Sequence, residues 1–178
     1  MTGMMGAEEL PPVGWRDRWA ARRAGYATRR AALVTQPPAA TTGDAGAGAA
    51  LVAGRVALAG ARPVDAAGRA LWDLPAPTRA FEAARQRFDW LDDLAALGTG
   101  PARALARDWV TDWFTRQGHG RGPGWTLPLV SARLDRLVVH AGWLLAGRDA
   151  VPRGRMERAL ARHLIVARAR MGTLPEGA

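Results

Sequence analysis

Acid–base chemistry in this chain would have to come from three histidines, His119, His140 and His163, and from 16 carboxylates. His119 lies in the loop Gly118-His119-Gly120-Arg121-Gly122-Pro123-Gly124-Trp125. Four glycines there let backbone approach a ligand closely, and functional loops often have this composition. The competing reading is a tight helix-to-helix connector turned by Pro123-Gly124. Trp109 and Trp113 stand four residues apart and share a helical face. Indole rings in a sugar cleft stack on pyranose faces, and arginines bind carboxylate or sulfate bidentately. The plainer reading makes both rings core knobs between helices. His140 sits beside Arg136 and Trp143 on the rim of an apolar stripe, as an acid or base or as a packing residue with one hydrogen bond. The candidate substrate-side set is therefore His119, Arg121, Trp125, Trp109, Trp113 and His140.

No catalytic residue is assigned. Asp92 and Asp93 are adjacent, so a helix points them to different faces. Asp89 and Asp92 could share a face, but solvation or pairing with Arg85 and Arg87 is the expectation. Asp73 is held by prolines and reads as a cap or loop ligand. Ser131 has no His/Asp partner arrangement. The three histidines lack metal-ligand spacing, and there is no cysteine, so neither metal nor cofactor is expected. Gly54 and Gly60 stand six apart without the Lys-Ser/Thr ending of a phosphate loop.

Composition sets the rest of the frame. A chain of 178 residues, 48% apolar, can hold one ordinary domain. The net charge is +9, and every basic residue is arginine. That balance favours anionic partners: nucleic acid, acidic polysaccharide or anionic lipid. Biased coding composition would produce the same arginine usage. No basic segment followed by an apolar run marks Met1 to Leu10, so no signal peptide is visible. Leu134 to Ala146 is too short and too polar to span a bilayer.

The chain divides into a tail (1–14), an amphipathic helix (15–35), a linker (36–70) and a helical domain (71–178). Trp15, Trp19, Tyr26 and Leu33 recur at helical spacing, with arginines forming a basic back. Such a helix suits a membrane surface or a partner helix, or is an outer helix with solvated arginines. Gln36-Pro37-Pro38 stops it, and Ala39 to Ala50 reads as a flexible connector. Arg55 to Leu58 and Arg62 to Val64 suggest a short β-hairpin. Trp72 to Pro77 is expected to be extended.

Thr78 caps a helix running to Leu97, with Gly98 at C′. Its apolar face joins Phe81, Ala84, Phe88, Leu91 and Ala95 to Trp90, Leu94 and Leu97. Thr99 and Pro101 open the next helix, which Gly118 ends. Ser131 to Gly147 follows, with Leu134, Leu137, Val138, Ala141 and Leu145 inward. The last helix begins at Pro152 and turns Met156, Leu160, Leu164, Ala167 and Met171 inward. Short connectors predict a mainly α fold of antiparallel helical hairpins.

Five stretches, in order, carry a family resemblance. They are Leu71-Trp72-Asp73-Leu74-Pro75-Ala76-Pro77, Phe88-Asp89-Trp90-Leu91-Asp92-Asp93-Leu94, Trp109-Val110-Thr111-Asp112-Trp113, Gly120-Arg121-Gly122-Pro123-Gly124-Trp125, and His140-Ala141 with Leu144-Leu145. Together they resemble the N-terminal part of bacterial heparinase II/III-family proteins of the alphaproteobacterial type. The resemblance covers roughly Trp15 to Ala178 and is weakest from Pro37 to Arg69. It implies the opening helices of an incomplete α/α toroid, whose full-length members continue into a β-sandwich region. It also implies polysaccharide lyase chemistry: β-elimination on uronic-acid polymers, with a Tyr or His base and an Asn or Arg neutralising the carboxylate. The family's catalytic positions lie beyond Ala178, so none is carried onto this chain, which is expected to be incompetent as a lyase alone. Acidic polysaccharide, and the remainder of the same protein, are the partners implied. The implied place is the bacterial cell envelope. A basic nucleic-acid-binding or scaffold module is the alternative; no helix-turn-helix spacing supports it.

Overall fold

The computed structural model describes residues 13–25, 43–66, 68–118, 122–146 and 150–171. They form a mainly helical fold with one two-stranded antiparallel sheet. In chain order the elements are α1 (Trp15–Gly25), α2 (Ala45–Val52), β1 (Arg55–Val56), β2 (Val64–Asp65), α3 (Arg79–Arg87), α4 (Asp89–Leu97), α5 (Gly100–Gln117), α6 (Leu127–Val139), α7 (Ala141–Leu145) and α8 (Ala150–Met171). Single 3-10 turns at Leu71–Asp73 and Pro123–Trp125 join them.

The expected hairpin forms, with its second strand at Val64–Asp65 rather than Arg62 to Val64; Arg55 stands opposite Asp65 and Val56 opposite Val64. Val56 and Leu58 are its buried side chains. Thr78 accepts the Phe81 amide at 3.0 Å, and Thr99 accepts the Ala102 amide at 3.3 Å, so both threonines cap as expected. Gly98 takes φ +68 after α4, the left-handed stop that only glycine adopts without cost.

Six expectations need correction. The segment read as a connector folds from Ala45 into α2. Asp44 caps it, accepting the amides of Gly46 and Ala47, while its own amide donates to Asp93 at 2.8 Å. Glycine here serves packing rather than looseness. A Cβ on Gly48 would stand 2.3 Å from the Asp93 carbonyl oxygen, and one on Gly43 2.0 Å from that of Asp92. Only bare backbone lets α2 lie so close to α4.

The helix expected from Thr78 to Leu97 is two helices. Phe88 separates them at φ +65, ψ +34. A left-handed phenylalanine carries strain of roughly 1–2 kcal/mol, which its burial offsets. Its ring lies 5.1 Å from Trp90, 5.7 Å from Trp113 and 6.0 Å from Trp72, centroid to centroid. A straight helix would carry that ring off this cluster. The helix expected from Ser131 likewise divides, at His140, into α6 and α7, and it begins earlier, at Leu127. Before Pro75, Leu71–Asp73 makes a 3-10 turn, and only Leu74 is extended.

The last two corrections concern orientation. In α8, Leu160 and Ala167 are buried as expected and His163 is fully buried with them, but Leu164 is 48% exposed. The side chains of Met156 and Met171 lie outside the described residues. In α1 the inward face is Ala20, Ala21 and Ala24, packed on α8, while Trp15 and Trp19 face solvent. Alanines allow a closer approach of helix axes than indoles would. The expected tail before Val13 and the continuation of the first helix beyond Gly25, with Tyr26 and Leu33, fall outside the described residues.

Candidate functional site

The six substrate-side candidates do not share one open surface. His119 and Arg121 lie outside the described residues. Trp109, Trp113, Trp125 and His140 are all buried. Trp113 is enclosed on α5: its ring meets Phe88 and Phe114 edge-on, tilts against Trp125 at 5.5 Å, and donates its Nε1–H to Gln86 Oε1 at 2.9 Å. Trp109 packs edge-on against Trp90 at 5.1 Å, and its carbonyl accepts the Trp72 indole N–H. Trp125, on the 3-10 turn before α6, donates to the Gln117 carbonyl at 2.7 Å. These rings have protein on their faces, so pyranose stacking on them is a correction: they act as knobs between helices.

At the centre of the aromatic cluster lies a charge that periodicity did not reveal. Arg133 of α6 is fully buried. Its guanidinium donates from Nε to His163 Nε2 at 2.8 Å, from Nη1 to the Gln86 carbonyl at 2.7 Å and from Nη2 to the Gly124 carbonyl at 2.8 Å. It also sits 3.9 Å above the Trp113 ring. Burial lowers its pKa well below the ordinary arginine value. Three acceptors and the negative faces of the rings compensate the cation. Because His163 Nε2 accepts, its proton belongs on Nδ1, facing the Ala159 carbonyl at 2.8 Å. Burial, then the adjacent Arg133, push the imidazole down to about 3. Gly124 must be glycine for this pairing, since a Cβ there would meet Gln86 Oε1 at 2.3 Å and Arg133 Nη1 at 3.2 Å.

A second polar cluster joins α4 to α6. Asp92 accepts the His140 Nε2–H at 2.7 Å on one oxygen and Arg136 Nε at 3.0 Å on the other. Arg136 also reaches Asp89 at 2.9 Å, and Asp89 pairs with Arg87 at 2.8 Å. Asp89 therefore does pair with Arg87, but Asp92 is buried and takes its partners from α6 and the α6–α7 break. A carboxylate bonded through both oxygens holds the imidazole in a fixed orientation. At the surface, Asp73 takes Arg116 of α5 (Nη2–Oδ2 3.1 Å), which holds its carboxyl below the usual range. The expected cap or loop contact is thus an ion pair to a helix side chain instead.

The one strongly basic, aromatic surface among the described residues is the outer face of α1. At about 100° per residue, the order around its exposed arc is Arg18, Arg22, Trp15, Trp19, Arg23, Arg16. Two tryptophans thus lie at the centre, 73% and 55% exposed, with two exposed arginines on each side. Arg16 lies over the Trp15 ring at 5.4 Å and Arg23 over Trp19 at 4.6 Å. Asp17, the only acid in α1, is buried on the opposite side and accepts the Gly14 amide at 3.0 Å. The four-residue step between the tryptophans was visible in the sequence. The alanines at positions 20, 21 and 24 were the signal that the other face packs.

Among the described residues no group of three or more His, Cys, Asp or Glu is placed to hold a metal ion. No helix among them is long and apolar enough to cross a membrane. Comparison with protein-family profiles, with curated proteins and with solved structures finds no match to this chain.

Proposed function

We propose that this chain is a helical segment of a heparinase II/III-type polysaccharide lyase. In this reading it supplies scaffold helices and a basic surface for an acidic polysaccharide, and it is not a catalyst by itself. One observation carries the reading. The stretches that resemble the family converge on a single packed unit. Trp72, Phe88, Trp90, Trp109, Trp113 and Trp125 touch one another in a chain of ring contacts or hydrogen bonds. Residues spaced to build such a core are what an array of helical hairpins requires. Their types and order are thereby explained as scaffold, which is the part of a toroid that the resemblance assigns to them.

The charge supports the anionic partner. A net +9 raises the local concentration of polyanions and speeds their encounter. Exposed arginines such as Arg55 and Arg62 on the hairpin add to those of α1. The alternative, a basic module for single-stranded nucleic acid, is favoured only by exposed tryptophan beside arginine, a combination that stacks bases.

Titration with uronate oligomers, a neutral glucan of equal length and single-stranded DNA across a salt series separates these readings. The expected result is uronate binding well above glucan binding, with no new absorbance from an unsaturated uronate. Equal binding of glucan and uronate, or no uronate binding at low salt, would sink the lyase reading. A marked preference for DNA would favour the alternative.

A further inference from the structure

The geometry points to a second activity, independent of the lyase reading: α1 is a peripheral docking face for anionic membrane surfaces. Its tryptophans enter the headgroup region and its arginines bind lipid phosphates and carboxylates.

The argument starts from the three-way division of this short helix. Ala20, Ala21, Ala24 and Asp17 face the protein body. Trp15 and Trp19 protrude along the opposite line, one helical turn apart. Arg18 and Arg22 border them on one side, Arg23 and Arg16 on the other. None of these four arginines has an ion-pair partner among the described residues. A helix that lies in the interfacial plane has this cross-section, with aromatic side chains at the deepest line and cations at headgroup level on both flanks. Here the body of the protein occupies the side that would otherwise face water.

Shape and pairing favour a bilayer over other polyanions. The face is the convex side of a helix, so it meets a flat surface more readily than it encloses a strand. A stacked base or pyranose needs an open ring face. Arg16 and Arg23 already lie over one face of each indole, which leaves a single face of each ring for stacking. A guanidinium–indole pair needs no such opening to sit at a membrane interface, where tryptophan is enriched and each nearby arginine adds attraction to anionic lipid. Charge also disfavours a second copy on this face, since a two-fold contact would bring four arginines against four.

The test is co-sedimentation of the whole chain with vesicles of phosphatidylcholine alone and of phosphatidylcholine with phosphatidylglycerol, in a salt series. Binding to the anionic vesicles only is expected. The double variant W15A/W19A should lose roughly tenfold or more in partitioning, and R18Q/R22Q a similar factor at low salt. These side chains are exposed, so both variants should keep the helical circular dichroism of the parent. Absence of vesicle binding at low salt overturns the proposal. So does vesicle binding that the tryptophan variant leaves unchanged, because a diffuse arginine field would then suffice. Loss of uronate or DNA binding in W15A/W19A, without vesicle binding, assigns the face to that polymer and equally overturns it. Uronate binding that survives W15A/W19A keeps the lyase reading standing whatever the vesicles show.

Discussion

Arg133 and His163 meet in the middle of the core through one hydrogen bond of 2.8 Å, from the guanidinium Nε to the imidazole Nε2. Two groups that are usually cationic or solvent-facing are thus combined as donor and acceptor. The arrangement requires a neutral imidazole.

Acid should therefore destabilise the fold through His163. The folded imidazole titrates near 3, whereas the unfolded one titrates near 6.5. Between these values the unfolded chain binds a proton that the folded chain refuses. The contribution is intact above about pH 6.5 and is lost as pH falls towards 3, with a slope of at most about 1.4 kcal/mol per pH unit. His163→Gln offers an amide oxygen to Arg133 without titrating. Urea unfolding between pH 7 and 4.5 should be flatter for H163Q than for the parent, and parallel curves would count against the assignment.

Replacing the arginine by lysine should be far from conservative. Arg133→Lys keeps a charge but loses the fork that reaches Gln86, Gly124 and His163 together. Buried acceptors left unpaired cost about 1–3 kcal/mol each before relaxation. A loss of roughly 3 kcal/mol in urea unfolding is expected. A change within 0.5 kcal/mol, on the scale of an ordinary surface substitution, would mean the guanidinium contacts contribute little.

At Phe88 the usual order of small residues should reverse. Phe88→Ala removes a buried ring and is expected to cost about 3–5 kcal/mol. Phe88→Gly removes the same ring but also releases the left-handed strain at φ +65. F88G should therefore be more stable than F88A by about 1 kcal/mol, opposite to the order inside a regular helix. Paired thermal melts decide it; an Ala variant at or above the Gly variant refutes the strain argument.

Gly48 is the sharpest steric prediction. Alanine there places a methyl group 2.3 Å from the Asp93 carbonyl, so α2 must move off α4. Overpacking of this kind costs roughly 1–3 kcal/mol, against the gain of about 1 kcal/mol that Gly→Ala gives in a free helix. Net destabilisation of G48A in urea unfolding is expected; a stabilised variant would show that the helices are farther apart than described.

Much of this architecture was legible in the residues. Thr78, Thr99 and Gly98 mark helix ends through hydrogen bonds made within one turn, and the hairpin follows from local alternation. What escaped was set by distant partners. Nothing near Phe88 says a helix should break there; the reason is Trp72 and Trp113, on other elements. The Gly-Ala run at α2 has the composition of a linker until α4 is placed against it. Periodicity put Trp15 and Trp19 on one stripe but does not say which stripe a helix buries, and alanines can outcompete indoles where axes come close. The burial of Trp109, Trp113, Trp125 and His140 was hidden for a related reason. Tryptophan and arginine suit a sugar cleft and an aromatic core equally well, and Arg133 shows that even the charge does not separate them.

The uneven distribution of the eight tryptophans has an optical consequence. Trp90, Trp109, Trp113 and Trp125 are buried, Trp72 and Trp143 half-buried, and only Trp15 and Trp19 are exposed. Intrinsic emission should thus contain a blue, shielded population and a red one open to acrylamide. The first responds to unfolding and the second to whatever covers α1, so a single cuvette can follow the stability of the body and the occupancy of its outer helix as separate signals.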